Sequence, residues 1–486
     1  MEIHARWAKI LKDMWGNRSR SLLVILSIAV GVASVGMITN ASRIIKRDLY
    51  GSYQAGHPAQ LEIYVSPFPE ELATAVEGAR EVEYAEPRRT VGVLVYDQKT
   101  WEDIDLTVIP DFNDISLNQL TLESGSPTPG VREVLLERQS ASGLGIEVGD
   151  EIAVEMPDDR HYTLVVSGIV HDLYSHPYKI SGRASGFISM DTLEWLGETP
   201  YYSYMQVSVS ERQTDKEHVL ATGEMIRDRI IEPAGYKVDR MGIPGIGADP
   251  GEHWAQKPIN GFLLILQIMS VLAIFLSGGL VVNTITAILT QQVRQIGIMR
   301  SIGAVRSQIT TMYVVNVLVF AVLGLIFAIP MGLLGAWGLG LLAASFINCN
   351  LGSIDISPGL LLLQAVLAII MPVVAALYPI LTGTEISVYD AVYQHGLESK
   401  NAEKHGLLDT VLYKLQSLSP PILLSLRNTF RNKTRLVFTV ITLTLAGAMF
   451  ISVFSTRTSL TRQINEIARY VNYDAAISIP GGANRY

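Results

Sequence analysis

Charged residues leave five gaps along this chain. No Asp, Glu, Lys or Arg occurs between Arg20 and Arg43, Lys257 and Arg294, Arg306 and Asp355, Asp355 and Glu385, or Arg435 and Arg457. Each gap holds about 20 residues of helix, enough to cross about 30 Å of hydrocarbon. The gap after Arg306 is longer than one span and predicts a long helix followed by a polar turn at Asn348 and Asn350. The pattern therefore predicts five spans. The first apolar run, residues 21–38, exceeds the roughly 7–15 residues of a signal core and follows an amphipathic stretch, so it reads as an uncleaved helix.

Two segments have the pattern of interfacial helices. Trp7, Ile10, Leu11, Met14 and Trp15 recur at i, i+3, i+4, i+7 and i+8, with Arg6, Lys9, Lys12 and Asp13 opposite. Such a helix lies in the headgroup plane, or packs on another protein. The arrangement recurs near the other end of the chain. Setting Asn17, Arg18, Ser19 and Arg20 against Asn432, Lys433, Thr434 and Arg435 brings Trp15 over Phe430 and Leu11 over Leu426. An apolar run and a polar helix follow in each copy, which reads as a duplication. Residues 473–479 read as the first strand of a second outer domain, and the sequence as an incomplete copy of a two-half protein.

Between the first two spans the pattern changes. Residues 60–65 and 91–96 are strand-like, 69–79 helical, and 131–172 a series of short strands around Gly149-Asp150 and Pro157-Asp158-Asp159 turns. A strand at 205–209 and a helix at 217–231 follow. This predicts an α+β domain with a small barrel-like insert. Lys and Arg cluster before span one, between spans two and three, and after span four, which places the N-terminus and those loops in the cytoplasm and residues 48–258 outside.

Composition narrows the function. Hydrophobic residues make up 49% and charged residues 17%, with mean hydropathy +0.28. The net charge of −8 comes mostly from the outer domain and gives no basis for a nucleic-acid partner. The one cysteine, Cys349, excludes an intrachain disulfide. His161, His171, His176 and Asp172 match no zinc spacing and read as solvated loop residues. Ser124 and Ser126 lack a nucleophile elbow. No phosphate loop occurs, and no span carries an internal charge for ion coupling. The expectation is a non-catalytic subunit with no cofactor of its own.

The connector at residues 291–310 carries the sharpest signal. Val293, Ile296, Met299, Ile302 and Val305 repeat every three residues, Arg294, Gln295 and Arg300 project elsewhere, Gly297 permits close approach and Gly303 can end a helix. The run from Arg294 to Ala304, RQIGIMRSIGA, resembles the coupling-helix signature of the FtsX-like, or MacB-type, ABC transporter permease family, with Gln295 where Glu is usual. Residues 379–394 are similar to the family's segment closing span four, with Val388 in place of Pro. Residues 133–154 look like part of its extracytoplasmic core domain.

The resemblance implies an α-helical integral membrane protein with an α+β extracytoplasmic domain inserted between the first two transmembrane helices. The layout is an interfacial helix at 1–20, span one and stalk at 21–47, the outer domain at 48–258, span two at 259–290 and a coupling helix at 291–310. Span three at 311–347, an external turn at 348–357 and span four at 358–381 follow. A cytoplasmic linker at 382–434, span five at 435–456 and a second stalk at 457–486 complete it. Implied partners are a cytoplasmic ABC ATPase that binds ATP and Mg, the bilayer of the cell membrane, a second permease half or copy, and an extracytoplasmic adaptor or hydrolase. The implied work is export of lipoproteins, peptides or drugs by mechanotransmission. Regulation of a cell-wall hydrolase is the alternative within the family, and a membrane-anchored ligand receptor the alternative of another class.

Overall fold

The computed structural model describes residues 15–16, 18–96, 99–245, 248–354, 356–385 and 433–471. Five helices in it are long and apolar enough to cross a membrane. They are α1 (Arg18–Ala55), α7 (Gln256–Ser301), α8 (Arg306–Ile347), α9 (Pro358–Gly383) and α10 (Lys433–Val471). Trp7, Ile10, Leu11 and Met14 of the interfacial helix lie outside the described residues, as do the second amphipathic segment and the strand at 473–479. Trp15 is exposed, with the Arg18 guanidinium 4.5 Å above its ring. The helices α1 and α10 begin at the two positions matched by the internal repeat, and they run for 38 and 39 residues.

The chain divides into two compact units, one built from the helices and one from the outer domain with residues 340–353. In the helical unit, apolar area alone selects no partner, because lipid is as apolar as leucine; close backbone approach does. On α8, Gly324, Ala328, Gly332 and Ala336 recur every fourth residue and form a ridge of small side chains against α1. A Cβ at Gly332 would sit 3.3 Å from the Ala33 carbonyl and 3.5 Å from the Met37 amide. Ser277 on α7 donates to the Ser27 carbonyl of α1 at 2.8 Å. Val24, Ile28, Val281, Ile285, Val317, Phe320 and Ala376 share the resulting core.

The outer domain is α+β. Strands β1 (Leu61–Phe68), β2 (Val82–Tyr96), β9 (Tyr202–Val209) and β10 (Val238–Gly242) form an antiparallel sheet in the order β10-β1-β9-β2. Helices α2 (Glu70–Glu77) and α6 (Lys216–Ile226) cover its apolar face, where Leu61, Ile63, Met205 and Val207 are buried. The far half of β2 leaves this sheet and enters a barrel. There β2 pairs with β3 (Trp101–Val108), β3 with β8 (Ala184–Ile188), β8 with β5 (Glu133–Glu137) and β5 with β7 (His161–His171). Strand β6 (Glu151–Glu155) closes the ring by pairing with both β7 and β2, and β4 (Thr121–Gly125) lies on β7. Short helices α3 (Arg138–Leu144), α4 (Tyr178–Ser181) and α5 (Met190–Trp195) link these strands.

Two expectations change. The strand expected at 91–96 begins at Val82, and the charged, proline-containing half hid it: Pro87 lies in register with Met205. His171 and Asp172 are not solvated loop residues, being 5% and 3% exposed at the end of β7. His161 stands at the other end of that strand, exposed.

Candidate functional site at the turn between α7 and α8

The connector does not form a helix of its own. Helix α7 continues through residues 291–301, and a turn of four residues, Ile302 to Val305, leads into α8. Gly303 makes the turn, with a left-handed φ of 100° that a side chain would strain. Its amide donates to the Arg300 carbonyl at 3.1 Å, and the Ala304 amide reaches back to Met299 at 2.9 Å. This pair of bonds is a Schellman motif, which satisfies the carbonyls left over at the helix end. On the far side, the Gln308 side chain accepts from the Val305 amide at 3.4 Å and helps start α8.

The stripe expected at every third residue is not one face. Three residues advance a helix by about 300°, so a period of three drifts about 60° at each step and winds around the cylinder. Ile296 is fully buried in the helical core and Met299 packs against it, while Gly297 is also buried. Ile302 is 80% exposed, with Val305 and Ile298 at 54% and 50%. Arg294 and Gln295 are exposed and Arg300 is half-buried. The site residues thus separate into an inner face that ties the turn down and an outer apolar knob beside Arg294 and Arg300.

The inner face uses residues that sequence periodicity passed over. Gln292 is buried and accepts the Tyr313 hydroxyl at 2.6 Å. Arg20 donates to the Gln291 side chain at 2.5 Å, bracing α1 against α7. Arg306 reaches the Leu381 carbonyl at 3.0 Å and the Glu385 carboxylate at 2.8 Å. Thr310 lies 3.2 Å from Thr384, which is fully buried. The turn is thereby fixed to the end of α9. Residues 386–392 of the segment closing span four lie outside the described residues. The available signal for Gln292 was its place four residues before Ile296, on the same helix face.

Polar ties from Gln291, Gln292, Arg306 and Thr310 therefore flank an exposed apolar turn. Among the described residues no group of three His, Cys, Asp or Glu could hold a metal ion.

Residues 267–388, which contain this turn, match the model of the FtsX-like permease C-terminal region, and residues 21–219 match the MacB-like periplasmic core domain. The chain belongs to the FtsX-like, MacB-type family of ABC transporter permeases. It is 24% identical over 362 residues to YknZ of Bacillus subtilis, an uncharacterised ABC transporter permease, covering 67% of this chain and 84% of that one. The extracellular domain of YknZ from Gram-positive bacteria aligns at 16% identity and a TM-score of 0.28, over 37% of this permease and 99% of that structure. The periplasmic region of MacB from Actinobacillus actinomycetemcomitans aligns at 10% identity and a TM-score of 0.28, over 39% and 90%. As an ABC transporter permease the protein is a membrane component of a system whose family implies an ATPase. Its apolar helices and outer α/β domain are the architecture of that family.

Proposed function

We propose that this permease converts the work of a separate cytoplasmic ABC ATPase into movement of the outer domain, and that the α7–α8 turn is where the ATPase grips. In this reading the N-terminus and the turn are cytoplasmic, and the membrane is the cell membrane. ATP and magnesium are held by the ATPase. The observation that carries the proposal is the exposed Ile298, Ile302 and Val305 knob between Arg294, Arg300 and Arg306 on a braced turn. An apolar centre with a polar rim is the usual anatomy of a binding surface. Helix α7 supplies the lever: its 46 residues extend about 69 Å, more than twice the hydrocarbon thickness. A push on one end of an unbroken helix arrives at the other without any bond having to reform. Export by mechanotransmission is the working mode we assign.

Ile302→Asp tests this directly. Ile302 lies outside both helices and packs on little, so the variant retains its fold. A bulky residue at Gly297 is a poorer test, because that position is buried. The full-length permease, purified from its native membrane, should bring down an ATPase, and Ile302→Asp should lose it. Unchanged copurification sinks the proposal.

A further inference from the structure

The other end of α8 carries a polar cluster that the coupling turn does not use. Asn348 follows α8 directly and has a left-handed φ of 63°, which asparagine tolerates better than most residues. Residues 340–353 and the outer domain form one compact unit. Within it, the Asn348 amide donates to the Glu137 carboxylate at 2.6 Å and to the Asp172 carbonyl at 3.1 Å. Its side-chain oxygen accepts from Arg138 Nε at 2.7 Å. The Asn348 backbone carbonyl accepts from Arg138 at 2.8 Å and from His171 Nε2 at 2.5 Å. A carbonyl only accepts, so His171 carries its proton on Nε2. Arg138 also reaches Asn350 at 2.5 Å and Glu123 at 2.7 Å.

Asn348, Glu137, Asp172 and His171 are each 5% exposed or less. Around them the apolar packing is a small cluster of Leu49, Tyr53, Leu173, Ala255, Ile347 and Cys349, separate from the main core of the domain. Directional bonds rather than apolar area therefore hold the turn. A network of that kind is made whole or lost whole, since a half-satisfied buried network is worse than none. Its groups can all return to water on release, so opening costs little for each bond. A large apolar seam would behave otherwise, resisting in proportion to its area.

We propose that Asn348 is a positioning residue, the tongue of a latch that holds the α8–α9 turn to the outer domain at rest and releases it as a unit during the working stroke. The stroke itself rests on the function proposed above. The latch contains its own reporter. Cys349 is the single cysteine of the chain, 7% exposed, and burial pushes its thiol up to about 11. A closed latch hides a thiol that is also mostly protonated, and an open one exposes it.

The test measures N-ethylmaleimide labelling of Cys349 in the full-length permease in lipid nanodiscs. Asn348→Gly keeps the left-handed backbone and its carbonyl while deleting the amide. It should raise the labelling rate at least tenfold, and Arg138→Gln should do the same, with circular dichroism and the melting of the outer domain preserved. Rates unchanged in both variants overturn the latch. In native membranes that retain the ATPase, labelling of the unaltered protein should differ at least threefold between nucleotide-free and ATP-vanadate states. A purely structural contact would not respond to nucleotide, and equal rates there overturn release. Absence of any ATPase from the purified complex overturns the function proposed above, while the nanodisc comparison still decides whether Asn348 positions the turn.

Discussion

Helix α8 ends in opposite ways. At its start the α7–α8 turn shows apolar Ile302 to solvent, and at its finish the α8–α9 turn buries polar Asn348 among Glu137, Arg138 and His171. Each arrangement inverts the usual distribution, and an inversion has a cost unless something offsets it. At the buried end the offset is within the chain, as hydrogen bonds to residues some two hundred positions away. At the exposed end nothing in the described chain covers the knob, which is why a partner is assigned to it. The contrast separates a contact that the fold completes from one that, on the proposed function, an assembly completes.

The largest expected effect breaks the buried end. Asn348→Leu strains the left-handed backbone and, unlike glycine, fills the site with apolar bulk that keeps water from Glu137 and Arg138, and should destabilise the outer unit by about 3 kcal/mol. Chemical denaturation followed by tryptophan fluorescence reads this. If the variant melts like the unaltered protein, the cluster is not a structural junction.

At the exposed end the response should be reversed. Ile302→Asp should weaken ATPase copurification at least tenfold, roughly 1.4 kcal/mol, with no change in melting. Loss of stability instead would show the knob to be part of the fold.

Acid sharpens the contrast further through the buried histidines. Burial holds the His253 imidazole down at about 4, with Tyr53 edge-on to its ring at 5.1 Å. Burial likewise lowers His171. Below about pH 6.5 the unfolded chain takes up a proton that folded His253 refuses until near pH 4, so stability is full above that window and lost as pH falls through it. By pH 5 the loss should approach 2 kcal/mol. Glu137 acts in the opposite sense, because its burial raises its pKa and lower pH relieves the buried charge. His253→Asn, which retains an acceptor for the Ala255 amide, should flatten most of the pH dependence of melting. A slope that survives the substitution assigns the effect elsewhere.

The smallest effect compares satisfied with unsatisfied burial. Gln364 on α9 is fully buried and, among the described residues, neither end of its amide has a hydrogen-bond partner. Gln364→Met should therefore stabilise the helical unit, by about 1 kcal/mol, where the substitution at Asn348 destabilises. Thermal unfolding in detergent distinguishes the signs.

Much of this was legible in the chain. The charge-free windows predicted the five apolar helices, because a bilayer tolerates few charges and demands a minimum length. Gly303 marked the end of α7, since a Schellman turn needs a left-handed residue. The strands at 60–65 and 205–209 were visible from alternation, whereas the first half of β2 was masked by Glu86, Pro87, Arg88 and Arg89. Those side chains are accommodated by partners distant in sequence, such as Glu198 for Arg89 at 2.5 Å. Local pattern contains no record of such pairs.

Residue order alone settled which segments are apolar helices, where they turn and which family they belong to, because length, charge and turn chemistry are local properties. The tertiary structure decided which face of α7 is free, how β6 closes the barrel, and that Asn348, Glu137, Arg138 and His171 meet. Those outcomes depend on burial and on bonds between distant positions, and a residue's exposure is set by its neighbours in space.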